Sequence, residues 1–206
     1  MQYKVGRKNT QVSVVLFAAM FLIFAFAVFS TFLAQGSATG YYWRDYDGFI
    51  PPDAFVAARD DYGNPIYIGQ VLHSDKLIPA KILHNDRAAY YELDNKEYEK
   101  KENVKIFCTK DPAQFEWIPT SSQELNTITG KFLVKGGYQP NSSTYIGRTT
   151  SVGETVLGKV IADTSKDALH VTQKGKSHSF TTFEVLSCKQ KAKNDQVTTI
   201  VVKSVD

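Results

Sequence analysis

Residues 66–72 read Ile66-Tyr67-Ile68-Gly69-Gln70-Val71-Leu72, and Tyr145-Ile146-Gly147 returns the centre of that run 78 residues later. Such a run is rich in β-branched and aromatic residues and short for a helix, so it reads as a strand. Outward from it, Trp43 is matched by Trp117, Lys81 by Lys159 and Cys108 by Cys188, at offsets of 74, 78 and 80 residues. Residue types agree around these anchors. Ile78-Pro79-Ala80-Lys81-Ile82 aligns with Val156-Leu157-Gly158-Lys159-Val160, and Val104-Lys105-Ile106-Phe107-Cys108 with Glu184-Val185-Leu186-Ser187-Cys188. Six identities in one collinear order, with a slowly drifting offset, are what a duplication with small loop insertions leaves.

Within each copy the chain alternates short apolar runs with turn chemistry. In the first copy the runs are residues 54–58, 66–72, 88–92 and 104–108, separated by Asp60-Asp61-Tyr62-Gly63-Asn64-Pro65, His84-Asn85-Asp86-Arg87 and Asp94-Asn95-Lys96. The second copy repeats this at residues 131–134, 144–149, 156–162, 168–172 and 183–186, and residues 196–205 alternate as a further edge strand would. No window after residue 40 keeps helical spacing for three turns. The expected ectodomain is therefore all-β, with about eight to twelve short strands in a sandwich or paired sheets.

Charge narrows the function classes. The first 36 residues hold Lys4, Arg7 and Lys8 and no acid, which leaves 21 bases against 21 acids in the other 170. A neutral domain lacks the basic field that neutralises phosphates, so nucleic acid is not an expected partner. Two cysteines exclude a disulfide-dense scaffold and an all-Cys zinc site.

From Val12 to Leu33 run 22 uncharged residues, broken only by Ser13, Ser30 and Thr31. As a helix that length reaches about 33 Å, against a hydrocarbon core of about 30 Å. The expected organisation is a basic cytosolic tail (residues 1–11), a signal-anchor in the bilayer (12–34), a linker (35–41), a first repeat (42–110), and a second repeat with a C-terminal strand (111–206). The basic flank before the span keeps the N-terminus cytosolic and sends the remainder to the lumen or outside, a type II topology. A cleaved signal peptide, with Ala34-Gln35-Gly36 near the cleavage site, would instead give a secreted protein. Either way Asn141-Ser142-Ser143 is an accessible glycosylation sequon.

The string Trp43, Gly48-Phe49-Ile50-Pro51-Pro52-Asp53-Ala54-Phe55-Val56-Ala57-Ala58-Arg59-Asp60, Gly63-Asn64-Pro65-Ile66-Tyr67-Ile68-Gly69 and Leu77-Ile78-Pro79-Ala80-Lys81-Ile82 resembles the DM-nine repeat family. The resemblance covers Tyr42 to Cys188 as two tandem repeats. It implies two intertwined repeats forming β-sandwich-like sheets, and a mannose-type lectin of pattern recognition in innate immunity. By position it implies a sugar-binding pair, Asp60 and Lys81, in the first repeat. The second repeat keeps Lys159, but Gln139 stands in place of the Asp, and an amide lacks the charge-assisted acceptor of a carboxylate. Ala58 and Ala80 depart from the pattern, which favours Gly at both places.

A sugar's vicinal hydroxyls need a fixed acceptor and a fixed donor, which Asp60 and Lys81 would supply, with Tyr67, Tyr90 and Tyr91 as apolar faces for the ring. Read without the resemblance, Asp60 caps the turn at Gly63 and Lys81 is a solvated strand-end charge. Some relatives carry a farnesoic acid O-methyltransferase-like label, but no strand, glycine-rich turn and helix unit is present to hold a methyl-donor nucleotide. His73, His84, His170 and His178 lack metal-ligand spacing. The expectation is a non-catalytic protein without cofactor or metal, whose partners are a mannose-type glycan, the bilayer and a second copy of the chain. The alternative is a structural or protein-interaction ectodomain on the same fold. Cys108 and Cys188, equivalent in the two repeats and in an oxidising compartment, are expected to be bonded.

Overall fold

Each of the apolar runs expected between residues 54 and 186 overlaps a strand in the computed structural model, which describes residues 40–140, 142–162 and 168–189. The expected membrane segment (12–34), the sequon residue Asn141 and the C-terminal run (196–205) lie outside the described residues. Among the described residues no helix is long and apolar enough to cross a membrane. The stretch expected as the first repeat comprises β1 (Tyr42–Asp45), β2 (Val56–Arg59), β3 (Pro65–His73), β4 (Lys76–Leu83), β5 (Ala89–Leu93), β6 (Lys96–Lys100) and β7 (Val104–Cys108). The second comprises β8 (Phe115–Ser121), β9 (Phe132–Leu133), β10 (Lys135–Gln139), β11 (Ser142–Ser151), β12 (Glu154–Ile161), β13 (Leu169–Gln173), β14 (Lys176–Phe180) and β15 (Thr182–Cys188).

Strand registers run alike in the two halves. Gly69 faces Ala80 across β3 and β4, and Gly147 faces Gly158 across β11 and β12. A bulge between Val56 and Ala58, where β2 meets β3, reappears between Lys135 and Gly137, where β10 meets β11. Three hairpins close on two residues that both hold positive φ: Asp94-Asn95, Val152-Gly153 and Lys174-Gly175. That backbone matches the right-handed twist of the flanking strands.

The expected separate sheets of a sandwich are not what forms. All fifteen strands among the described residues join one open antiparallel sheet, because β10 pairs with β11 on one side and with β4 on the other, through Tyr138 and Leu77. The count exceeds the expected range because polar strands also pair: β6 (KEYEK) and β14 (KSHSF) carry no apolar alternation, yet each completes a hairpin.

Each repeat buries its own apolar cluster, around Ile78, Ile82 and Ile106 in the first and Val160, Leu169 and Val185 in the second. Between them lies a shared cluster of Phe55, Ile68, Phe107 and Phe115 with Val134, Ile146, Leu157 and Leu186. Phe107 is its hub, with ring centroids 4.8 Å from Tyr41, 5.3 Å from Trp43 and 5.4 Å from Phe115. Fully burying one such ring contributes about 1.5–3 kcal/mol. Two hydrogen bonds flank this core at equivalent positions: Gln70 Nε2 donates to the Gly136 carbonyl at 2.7 Å, and Arg148 Nη1 to the Ala57 carbonyl at 2.7 Å.

Candidate functional site

Asp60 begins the connection from β2 to β3, where Gly63 turns at φ 82°. Its Oδ1 accepts the backbone N–H groups of Tyr62 (2.9 Å) and Asn64 (2.8 Å), and its Oδ2 accepts the Asn64 side-chain amide (3.0 Å). These bonds, the Asn64 amide first, hold the carboxyl below its ordinary value. Asp60 therefore caps its own turn. Lys81 is no solvated strand-end charge. It sits within β4, its side chain is 13% exposed, and Nζ donates to the Thr172 carbonyl of β13 at 2.6 Å. Glu97 lies 3.8 Å away and the Tyr90 ring centroid 5.9 Å. Burial pushes the Lys81 pKa down.

Asp60 and Lys81 line the same cavity, about 450 Å³, walled by both repeats. The first repeat supplies the rim loop (Asp60, Asp61, Tyr62), His84, Tyr90 and Glu97; the second supplies Glu154, Gln173 and Lys174. Four carboxylates against two lysines leave the cavity acidic. Glu154 Oε2 accepts Gln173 Nε2 at 2.8 Å, and Oε1 lies 3.0 Å from Lys174 Nζ. The Gln173 bond, then Lys174, lowers the Glu154 pKa. Of the three tyrosines expected to face a sugar, only Tyr90 lines the cavity; Tyr67 and Tyr91 pack in the first-repeat core. Tyr62, 91% exposed on the rim, carries an aromatic face that the sequence reading passed over.

The equivalent place in the second repeat is filled. Lys159 is 4% exposed and pairs with Glu92 Oε2 at 2.9 Å, Glu92 standing in β5 where β13 has Thr172. Gln139 sits on β10 opposite Ser142 and away from the cavity lining. One alanine accounts for much of the asymmetry. A Cβ on Gly137 would fall 1.9 Å from the Leu77 carbonyl oxygen, so β10 reaches β4 only because that residue is glycine. Ala58 occupies the matching place in β2, which pairs with β3 alone and leaves a groove of about 420 Å³ bordered by Ala58, Arg59 and Thr155 of β12. The cavity opens beside that gap, Thr155 lining both.

The expected disulfide is not formed: Cys108 and Cys188 are both free thiols. Cys108 is packed into the first-repeat core and Cys188 against the shared core, so equivalence in sequence does not place them together. Desolvation pushes the Cys108 thiol up to about 11.

Comparison with known proteins follows the same lines. The DM9 repeat family matches residues 60–165, just over half of the chain. No curated protein matches the sequence. Among solved structures the fold is similar to that of the nematode sperm cell motility protein MFP2B, with a TM-score of 0.56 and 15% identity over 74% of this chain and 47% of that one. The chain thus spans about half the length of that protein.

Proposed function

The chain belongs to the DM9 repeat family, and from that premise we propose that it is a non-catalytic, lectin-like carbohydrate-binding protein that takes a mannose-type glycan in the cavity between its repeats. The observation that carries this is the meeting of carboxylates from both repeats with Lys81 in one cavity, Tyr90 beside the lysine, since fixed donors, fixed acceptors and an aromatic face are what a pyranose requires. A role as a pattern-recognition receptor follows from the same reading, with residues 12–34 as membrane anchor, the repeats lumenal or extracellular, and Asn141 glycosylated. Its uncharged span of 22 residues behind a basic flank supports the anchor over a cleaved signal. Alkaline carbonate extraction tests it: release into the medium of a chain shorter by about 35 residues would favour secretion instead.

A glycan array probed with the full chain tests the ligand, with Lys81→Met as control because it keeps the apolar stem and removes the donor. Loss of a charged hydrogen bond should weaken binding about ten- to a hundred-fold. A protein-interaction domain without sugar ligand is the competing reading, favoured by the bonds that commit Asp60 to its own loop. An array without signal decides for it.

A further inference from the structure

Two carboxylates in the cavity differ in what they have left to offer. Asp60 Oδ1 already accepts two bonds and Oδ2 one, all from its own loop. Glu154 accepts from the Gln173 side chain, pairs with Lys174 and interacts with the Asp61 side chain of the rim loop, and among the described residues no backbone N–H ties up either of its oxygens. One of those partners is built to hold still: Gln173 is 7% exposed, accepts Ser151 Oγ at 3.1 Å, and donates both to the Ser151 carbonyl (3.3 Å) and to Glu154. Lys174, by contrast, is 72% exposed, and a ligand hydroxyl displaces such a solvated partner readily. Glu154 and Glu97 are the carboxylates whose charges act on Lys81, one from each repeat.

We infer that Glu154 of the second repeat is the carboxylate that recognises ligand hydroxyls in this cavity, with Lys81 as the facing donor and Asp60 as a positioning residue for the rim loop. This rests on the glycan reading above. A vicinal hydroxyl pair bridges Glu154 and Lys81 while the ring packs on Tyr90, so the site requires residues from both repeats.

Calorimetric titration of the full chain with methyl α-mannoside, in wild type, Glu154→Gln and Asp60→Asn, separates the roles. Glu154→Gln should bind about ten- to a hundred-fold more weakly at an unchanged thermal midpoint, whereas Asp60→Asn should speed amide exchange at Tyr62 and Asn64 while keeping most of the affinity. A Glu154→Gln variant with wild-type affinity overturns the assignment alone, as does loss of binding in Asp60→Asn with a protected loop. A wild type that binds no mannoside overturns the glycan reading and this assignment together. Should Glu154→Gln lower the midpoint, Glu154→Asp decides, because it keeps the charge and withdraws it by one methylene: weaker binding supports the assignment and wild-type binding overturns it.

Discussion

Lys81 and Lys159 show how one residue at equivalent positions takes two fates. Each reaches from its own repeat to the other, but Lys81 meets a backbone carbonyl at the edge of a cavity and Lys159 meets a carboxylate that is itself 3% exposed. Removing one member of such a buried pair leaves an uncompensated charge. Glu92→Leu or Lys159→Met alone should therefore destabilise by about 3–5 kcal/mol, while the double variant should recover most of that loss. Urea titrations of the four proteins of that cycle measure it; equal losses in single and double variants would contradict the coupling. The cysteines give a second test at this scale. With its thiol raised to about 11 and its side chain in the core, Cys108 should resist iodoacetamide at pH 8 in the folded chain, and Cys188 should react. In guanidinium without reductant both should be alkylated, whereas a crosslinked peptide in the mass spectrum would restore the disulfide.

At the scale of elements, the Asp60 loop and the two seams between repeats are the informative parts. Asp60 has a lowered pKa in the fold, so its contribution to loop stability is present above the unfolded value, near 3.8, and is lost as pH falls through the folded value. The thermal midpoint of Asp60→Asn should thus depend less on pH in the acid range than that of the wild type, a difference visible in melts between pH 5 and about 2. The seams turn on Gly137 and Ala58. Gly137→Ala should cost about 1–3 kcal/mol, because the atom it meets is the backbone oxygen of Leu77 and has no rotamer in which to retreat. Amide exchange should rise in β10 and β4 and stay unchanged in the β13–β14 hairpin; uniform loosening would point away from the seam. Strands β3, β7 and β11 were readable in the sequence because buried pleats write a run of apolar residues, and polar β6 and β14 were not because their burial comes from pairing. The cavity was readable only in half. Asp60 and Lys81 lie in one motif, whereas Glu154 follows one hairpin turn of the other repeat and Gln173 precedes another, with no local pattern to join them to it.

In the whole molecule the repeats are separate in sequence and joined in structure. Sequence alone could show two similar series of strands but not the seam, since paired sheets and one continuous sheet are written with the same strands. Side-chain links cross between the repeats, among them Gln70 to Gly136, Arg148 to Ala57, Lys81 to Thr172 and Lys159 to Glu92. The shared core draws Phe55, Ile68 and Phe107 from one repeat and Phe115, Ile146, Leu157 and Leu186 from the other. Cut apart, each half would expose those rings and aliphatic chains and leave Lys159 or Gln70 without its side-chain partner, and so few residues cannot make up that loss from their remaining core. Residues 40–110 and 111–189, expressed separately, should each lack the dispersed amide spectrum of a folded β protein. Mixing them should restore it, as strand β10 regains β4 and the aromatic cluster closes around Phe107. The intact chain should unfold in one transition by both near-ultraviolet dichroism and tryptophan fluorescence, because Trp43 and Trp117 both pack against the shared core and report on it from opposite repeats. If either half instead folds alone with its own cooperative melt, the repeats are independent domains, and a cavity walled by both would then depend on how two such domains dock rather than on the fold itself.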